Sequence, residues 1–186
     1  SVITRAEKVG EDYVINGNKV MISNGTEAKF LLVYCLTNPE GKSKSKRHSI
    51  LLVETDRPGY KADKILGKMG LHASDTANIY FNNVKVPKEN LIGVEGNGFI
   101  QLMGFLDHSR VAVAADAVGL AQGAMEQAIN YVKKRKQFGK TIASFQVTQF
   151  KIAEMATLVE TARNLTHKAA WALDRGHPDT QVSAMA

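Results

Sequence analysis

The chain has 186 residues, 44% of them hydrophobic and 23% charged, and its 24 basic and 18 acidic residues give a net charge of +6. That composition excludes a disordered polar chain and permits one domain or two small ones, while the mild positive charge suits an anionic ligand without requiring nucleic acid. Cys35 is the only cysteine, which excludes an internal disulfide, and no apolar run approaches the roughly 18 residues of a membrane span.

In chain order, short β-rich runs come first. YVI (13–15) meets Asn16-Gly17, a dipeptide that predicts a hairpin turn into NKVMI (18–22). Ser23-Asn24-Gly25 turns the chain again into KFLLVYCL (29–36), and the loop NPEGKSKSKRH leads to SILLVE (49–54). Asp56-Arg57-Pro58-Gly59 is a further turn, followed by strands near 60–66, 76–82 and 84–86. Short strands at this spacing predict a closed barrel or sandwich over residues 1–95.

After Gly98 the pattern becomes helical. About 40 residues to Phe138 carry no proline, and VAVAADAVGLA is apolar nearly all round, which predicts a helix buried between neighbours. Ser144 is placed to cap a second helix, in which Ile152, Met155, Val159, Ala162, Leu165, Ala169 and Leu173 recur at steps of three or four. Arg175-Gly176 ends it. Two helices of this length with a short turn between them predict an antiparallel pair. The fold class expected is therefore α+β, with a β-barrel or sandwich over 1–95 followed by an antiparallel long-helix bundle over 96–186. The chain lacks an initiator methionine, and Pro178-Asp179 opens a helix that stops at Ala186. We read it as a truncated piece of a larger protein.

The common catalytic signatures fail on physical grounds. Gly41-Lys42-Ser43 ends like a phosphate-binding loop, but the glycine needed five places earlier is Leu36. Gly93, Gly96 and Gly98 precede a helix without a βαβ unit around them. Asp107, His108 and Ser109 are adjacent on a helix, so their side chains diverge by about 100°. The histidines lack partners at metal-ligand spacing, so no metal site is expected. Arg110 and Asp107 lie one turn apart on a helix face, a spacing that favours an internal ion pair over a ligand contact. Lys133, Lys134, Arg135 and Lys136 close the first helix, where any cation is favoured, but only arginine offers a planar fork matched to phosphate oxygens.

These residues carry a resemblance. YVINGNKVMISNG (13–25), VETDRPG (53–59), KMGLHASDT (68–76), FNNVKVPKENLIG (81–93), GNGF (96–99), LDHSR (106–110), RKQFGKTIASFQ (135–146) and AEMA (153–156) run along nearly the whole chain. In that order they resemble the middle β-domain and part of the C-terminal helical domain of an acyl-CoA dehydrogenase. The resemblance implies an FAD-dependent enzyme that desaturates an acyl-CoA thioester between its α and β carbons, with hydride passing to flavin N5. It further implies that the N-terminal helical domain, the first barrel strand and the later C-terminal helices lie outside this chain.

Carried over residue by residue, the resemblance implies that Arg135 reaches the pyrophosphate of an FAD, often one held mainly by a neighbouring subunit, that Phe138 packs near the dinucleotide, that Gly139 ends the helix and that Gln146 contacts the cofactor. Met21 stands where the family carries an aromatic residue against the flavin, and Ser23 keeps a hydroxyl for its polar edge. Ser74, Asp107 and Arg110 match positions that hold the polar arm of the acyl-CoA. No catalytic base is assigned. Most of the family places a glutamate late in the C-terminal domain, beyond Ala186, and the minority position before the arginine is Ser109 here. The resemblance also implies a homotetramer or dimer and an electron-transfer flavoprotein as acceptor. It implies a cytoplasmic location, or the mitochondrial matrix in a eukaryote. No nucleic acid and no membrane span are expected. The competing readings are an acyl-CoA oxidase or flavin monooxygenase-like homologue, separated by oxygen access to the flavin, and a non-enzymatic helical assembly module, separated by failure to take up FAD.

Overall fold

The computed structural model describes residues 3–41 and 43–186; Ser1, Val2 and Lys42, the central residue of the Gly41-Lys42-Ser43 triplet, lie outside the described residues. The chain divides into two compact units, residues 1–102 and 103–186.

The first unit is one six-stranded sheet. Its strands are β1 (Arg5–Val9), β2 (Asp12–Ser23), β3 (Phe30–Leu36), β4 (His48–Glu54), β5 (Tyr60–Lys64) and β6 (Thr76–Pro87), in the spatial order β4-β3-β1-β2-β6-β5. Alternate residues from these strands, among them Tyr13, Ile15, Val33, Leu51, Val53, Ile79, Phe81, Val84 and Val86, form a single buried cluster. A flat sheet cannot bring one face of six strands into one core, so the sheet curls, as its intrinsic twist favours. Leu91, just past β6, bridges to Leu51 of β4 at the other end of the strand order.

Asn16-Gly17 does not make the predicted hairpin. The turn between β1 and β2 is Gly10-Glu11, with Gly10 at φ +63°, and β2 runs through Asn16-Gly17 without a break. The reason is local. A Cβ on Gly17 would sit 2.8 Å from Thr4 Cα, so glycine serves a close backbone approach. Opposite it, the strands expected at 76–82 and 84–86 are one strand carrying an extra residue: Ile15 pairs with Val84 and Gly17 with Phe81. Asn83 takes φ +53° at this bulge, and its backbone N–H donates to Asn16 Oδ1 at 2.8 Å while Asn16 Nδ2 donates to Asn83 Oδ1 at 3.1 Å. The bulge shifts the side-chain phase by one, so Phe81 and Val84 both face the core. Strand β1 is an addition to the strands expected from the sequence.

The turn Asp56-Arg57-Pro58-Gly59 holds two predictions. Gly59 has φ +90°, and an added Cβ would lie 2.1 Å from the Asn82 carbonyl oxygen. Gly59→Ala is expected to cost about 3 kcal/mol or more, through backbone strain plus displacement of β6, read as a fall in denaturant midpoint at constant slope. Beside it, Arg57 Nε donates to Glu54 Oε2 at 2.5 Å and Asn90 Nδ2 donates to both Glu54 oxygens at 3.2 Å. The Arg57 hydrogen bond chiefly holds the Glu54 carboxyl down at about 2. A folded-state value below the unfolded one stabilises the protein above the ordinary carboxylate range and loses that contribution as pH falls toward 2. A thermal-unfolding series from pH 6 to 2.5 should show this loss, and Glu54→Gln should flatten it.

In the second unit, α1 (Gly98–Lys134), which begins at the end of the first unit, and α2 (Gln146–Asp174) are followed by the short α3 (Thr180–Met185). The two long helices run antiparallel. Val111 of α1 packs with Ala169 of α2 and Val182 of α3, Arg163 NH2 donates to Gln122 Oε1 at 2.9 Å, and Ile129 and Val132 share a cavity wall with Ile152 and Ala156. At 1.5 Å per residue α2 is about 45 Å long. The all-round burial expected of VAVAADAVGLA is not found. Val111, Ala114 and Val118 are buried, whereas Val113 and Leu120 are 68% and 75% exposed, because only one face of this stretch is covered within the described residues.

Ser144 does not cap α2. Its hydroxyl donates to Thr141 O at 2.7 Å inside a 3-10 turn (Ile142–Ser144), and the N-cap is Phe145. Nor does Gly139 end α1, which stops at Lys134. The connection folds instead into a small hairpin of β7 (Lys136–Gln137) and β8 (Lys140–Thr141). Phe138 and Gly139 form its two-residue turn at φ +52° and +76°, the left-handed pair that matches strand twist.

Candidate functional site

The site residues fall into two sets, one in each unit. In the first unit they gather at one end of the β2–β6 pair. Lys19 pairs with Ile79 and Ile22 with Ala77, so β2 carries an extra residue between them. Met21 lies in that bulge at φ +58° and is 65% exposed. A left-handed methionine is uncommon, and here it throws an unbranched thioether outward. Ser23 is exposed opposite Thr76. Asn24, at φ +57°, donates its backbone N–H to Asp75 O at 3.1 Å, which places Ser74 in the loop next to the Ser23 turn.

Asp75 is the fastening of this end, and no local sequence signal marks it. It is 6% exposed. Its Oδ2 accepts from Thr26 N at 2.9 Å and its Oδ1 from Thr26 Oγ1 at 2.9 Å, with Lys64 Nζ at 3.6 Å. Those Thr26 bonds, with Lys64, hold its carboxyl below the usual range. Tyr60 OH donates to Gly25 O at 2.7 Å. The Ser23–Thr26 turn is thus tied from both sides, and the Asp75 carboxylate is occupied in tying it.

In the second unit, Arg135, Phe138 and Gln146 are all exposed around the β7–β8 hairpin. Phe138, 90% exposed, meets Phe145 edge to face at 6.3 Å, and Lys140 Nζ lies 4.5 Å above the Phe145 ring. Arg135 is fixed through its backbone: its N–H donates to Tyr131 O at 2.9 Å and its carbonyl accepts from Ile142 N at 2.8 Å. Among the described residues its guanidinium makes no ion pair. Gln146 opens α2, and Phe145 contributes no side-chain cap, so the first amides of that helix stay available for an anion.

Further along the same unit, Arg110 NH1 lies 3.5 Å from Asp107 Oδ1, and Asp107 Oδ2 accepts from Thr180 Oγ1 at 3.0 Å. The Asp107 side chain is 13% exposed, that of Arg110 39%. Arg110 borders a cleft of about 510 Å³ between α1 and α3, together with Ser109 and the buried Ser183, whose hydroxyl has no partner among the described residues. Ser109 Oγ turns back to Leu106 O at 3.3 Å.

In the second unit, a guanidinium with no ion pair among the described residues, an uncapped helix start and an exposed aromatic ring lie around one hairpin; in the first unit, a hydroxyl and a thioether lie at the tied turn. The family described as "Acyl-CoA dehydrogenase, middle domain" matches residues 1–84, and "Acyl-CoA dehydrogenase, C-terminal domain" matches residues 96–186. Cyclohex-1-ene-1-carbonyl-CoA dehydrogenase of Geobacter metallireducens is 47% identical over 93% of this chain and 45% of its own length. Acryloyl-CoA reductase (NADH) of Anaerotignum propionicum is 44% identical over 94% of this chain and 44% of its own. The crystal structure of acyl-CoA dehydrogenase from Geobacillus kaustophilus superposes on all of this chain and 49% of that one, with a TM-score of 0.95 and 38% identity.

The chain belongs to the acyl-CoA dehydrogenase family. It spans about half the length of the curated relatives it matches.

Proposed function

We propose that the protein is an FAD-dependent acyl-CoA dehydrogenase that removes hydrogen from the α and β carbons of an acyl-CoA thioester. The observation that carries this reading is the hairpin between the long helices, where an arginine with no ion pair among the described residues, an exposed phenylalanine at positive φ and an uncapped helix start converge. Backbone strain persists where the surroundings enforce it, and it clusters at binding sites.

Bound FAD supplies the hydride acceptor; the protein binds, orients and shields. Arg135 holds the diphosphate by paired charge-assisted bonds, with the α2 amides beside it. Phe138 and Gln146 complete that half of the cofactor site. Ser23 donates to the polar edge of the flavin, and Met21 packs on the ring as a soft substitute for an aromatic. Arg110, anchored by Asp107, takes the polar arm of the thioester substrate, and Ser74 is a further proposed contact to that arm.

Asp75 does not serve as the α-proton base, because both of its oxygens are committed to Thr26. Ser109 has no carboxylate. The resemblance to the family implies a glutamate base beyond Ala186, and we propose that position for it. The exposed apolar side chains along α1 and α2, such as Leu120, Tyr131, Phe150 and Leu158, support a homo-oligomer, and an electron-transfer flavoprotein is the proposed acceptor. Anaerobic titration of the full-length protein with acyl-CoA thioesters of graded length tests the reading. Bleaching of a yellow protein is expected. A colourless protein that fails to take up FAD sinks it.

A further inference from the structure

The turn after β2 is held by more than a surface turn needs. Its own bonds are local, from Glu27 N and Ala28 N to Asn24 O at 3.1 and 2.8 Å. Three further ties come from distant parts of the chain, and each takes the next residue along. Asn24 N donates to Asp75 O at 3.1 Å, and Tyr60 OH donates to Gly25 O at 2.7 Å. Thr26 gives its N–H and its hydroxyl to the two Asp75 carboxylate oxygens, both at 2.9 Å. Gly25 is also tightly packed: an added Cβ would sit 2.8 Å from Ala77 Cβ and 3.2 Å from Ile79 Cγ2.

The tying groups are themselves fixed. Tyr60 pairs with Phe81 in the β5–β6 ladder, and their rings meet edge to face at 5.9 Å. Asp75 immediately precedes β6 and is buried, with Lys64 Nζ of β5 at 3.6 Å. Only an ionised carboxylate serves both Thr26 donors, because an amide of the same shape sets an NH2 against one of them. Directly ahead of this frame stands Ser23, exposed on the last rung of the β2–β6 ladder opposite Thr76. A reacting constellation must be held to within about 0.5 Å by the residues behind it, and a misplacement of about 1 Å costs on the order of 100-fold in rate.

We propose that Asp75 and Tyr60 are positioning residues of the cofactor site: acting through Thr26 and Gly25, they fix the turn that sets the Ser23 hydroxyl against the flavin edge. The inference rests on the FAD reading above and adds to it two residues that act from behind the turn.

The full-length protein, with and without FAD, tests it. In the FAD-free protein, Asp75→Asn is expected to speed amide exchange over residues 24–28 about tenfold, while Val53 and Ile79 in the core keep their protection, because the ties are local to the turn. Fluorescence titration should show FAD bound about tenfold more weakly, the scale of one lost hydrogen bond to a charged group. Anaerobic bleaching by saturating acyl-CoA, counted per bound flavin, should slow about 10- to 100-fold. Tyr60→Phe should act in the same direction through Gly25. Thr26→Val removes the hydroxyl tie alone and should weaken FAD binding less than Asp75→Asn, and Thr26→Ser should restore it. Faster exchange in the turn with unaltered FAD affinity and unaltered bleaching overturns the proposal and leaves Asp75 a structural tie. If Asp75→Asn loses protection throughout the sheet, the Thr26 variants decide: equal FAD affinity in Thr26→Val and Thr26→Ser overturns the proposal, and weaker binding in Thr26→Val alone supports it. Bleaching of the unaltered protein with no difference in any variant removes only this inference; an unaltered protein that takes up no FAD removes the reading beneath it as well.

Discussion

Arg135→Gln in the full-length protein is expected to weaken FAD binding about 100-fold, from the loss of two charge-assisted hydrogen bonds to a diphosphate. The expectation follows from what the residue lacks and what it has. It makes no ion pair among the described residues, so nothing inside the unit is left unpaired by the substitution. Its backbone is held at both ends by Tyr131 and Ile142, so the hairpin should survive a change of side chain. Arg135→Lys should fall between the two, because an ammonium keeps the charge and loses the planar fork. Fluorescence titration of the apoprotein with FAD, alongside thermal unfolding in the absence of FAD, separates binding from folding. A variant that holds FAD as well as the unaltered protein would remove Arg135 from the site.

How far the sequence reveals this arrangement differs by level. The alternation in KFLLVYCL and SILLVE is legible because one face of each strand is buried, and burial writes period two into a sequence. The long helices are legible from their step of three and four. The errors arise where one local signal serves a different purpose. Asn16-Gly17 has the composition of a turn, yet the glycine admits Thr4 and the asparagine side chain closes a bulge on the neighbouring strand. Nothing within seven residues of Asn16 announces that partner, because Asn83 lies 67 positions away. Ser144 has the composition of a cap, but a 3-10 turn takes its hydroxyl first. Gly139 looks like a helix stop, and it is the second residue of a hairpin turn.

The candidate site shows the same division. Arg135, Phe138 and Gln146 lie within twelve residues, so a short motif carries them all. The tie from Asp75 to Thr26 spans 49 positions and is invisible to any local reading, although it holds the turn that presents Ser23. Met21 is visible as a departure from an aromatic position; its left-handed backbone is not, since that follows from an extra residue in β2 that only the pairing with β6 exposes.

The second large effect is expected at Arg110. Arg110→Gln should lower kcat/KM for an acyl-CoA about 10- to 100-fold, the scale of one charge-assisted contact to substrate. A purely structural ion pair predicts something else. Its loss would cost a few tenths of a kcal/mol on a helix surface and leave the kinetics alone. The geometry separates the two cases through Asp107, which is the more buried partner and is held from two sides, by Arg110 at 3.5 Å and Thr180 at 3.0 Å. On the proposed reading Asp107 is the anchor, and Arg110, three times as exposed, is the arm that reaches the ligand. Asp107→Asn keeps the Thr180 contact and frees the arm, so it should raise KM by less than Arg110→Gln while leaving kcat nearly unchanged. With both substitutions the loss should match that of Arg110→Gln alone, because the anchor has no function once the arm is gone. Additive losses in that cycle would mean that Asp107 and Arg110 act on the substrate independently, and equal kcat/KM in all four proteins would return the pair to a structural role.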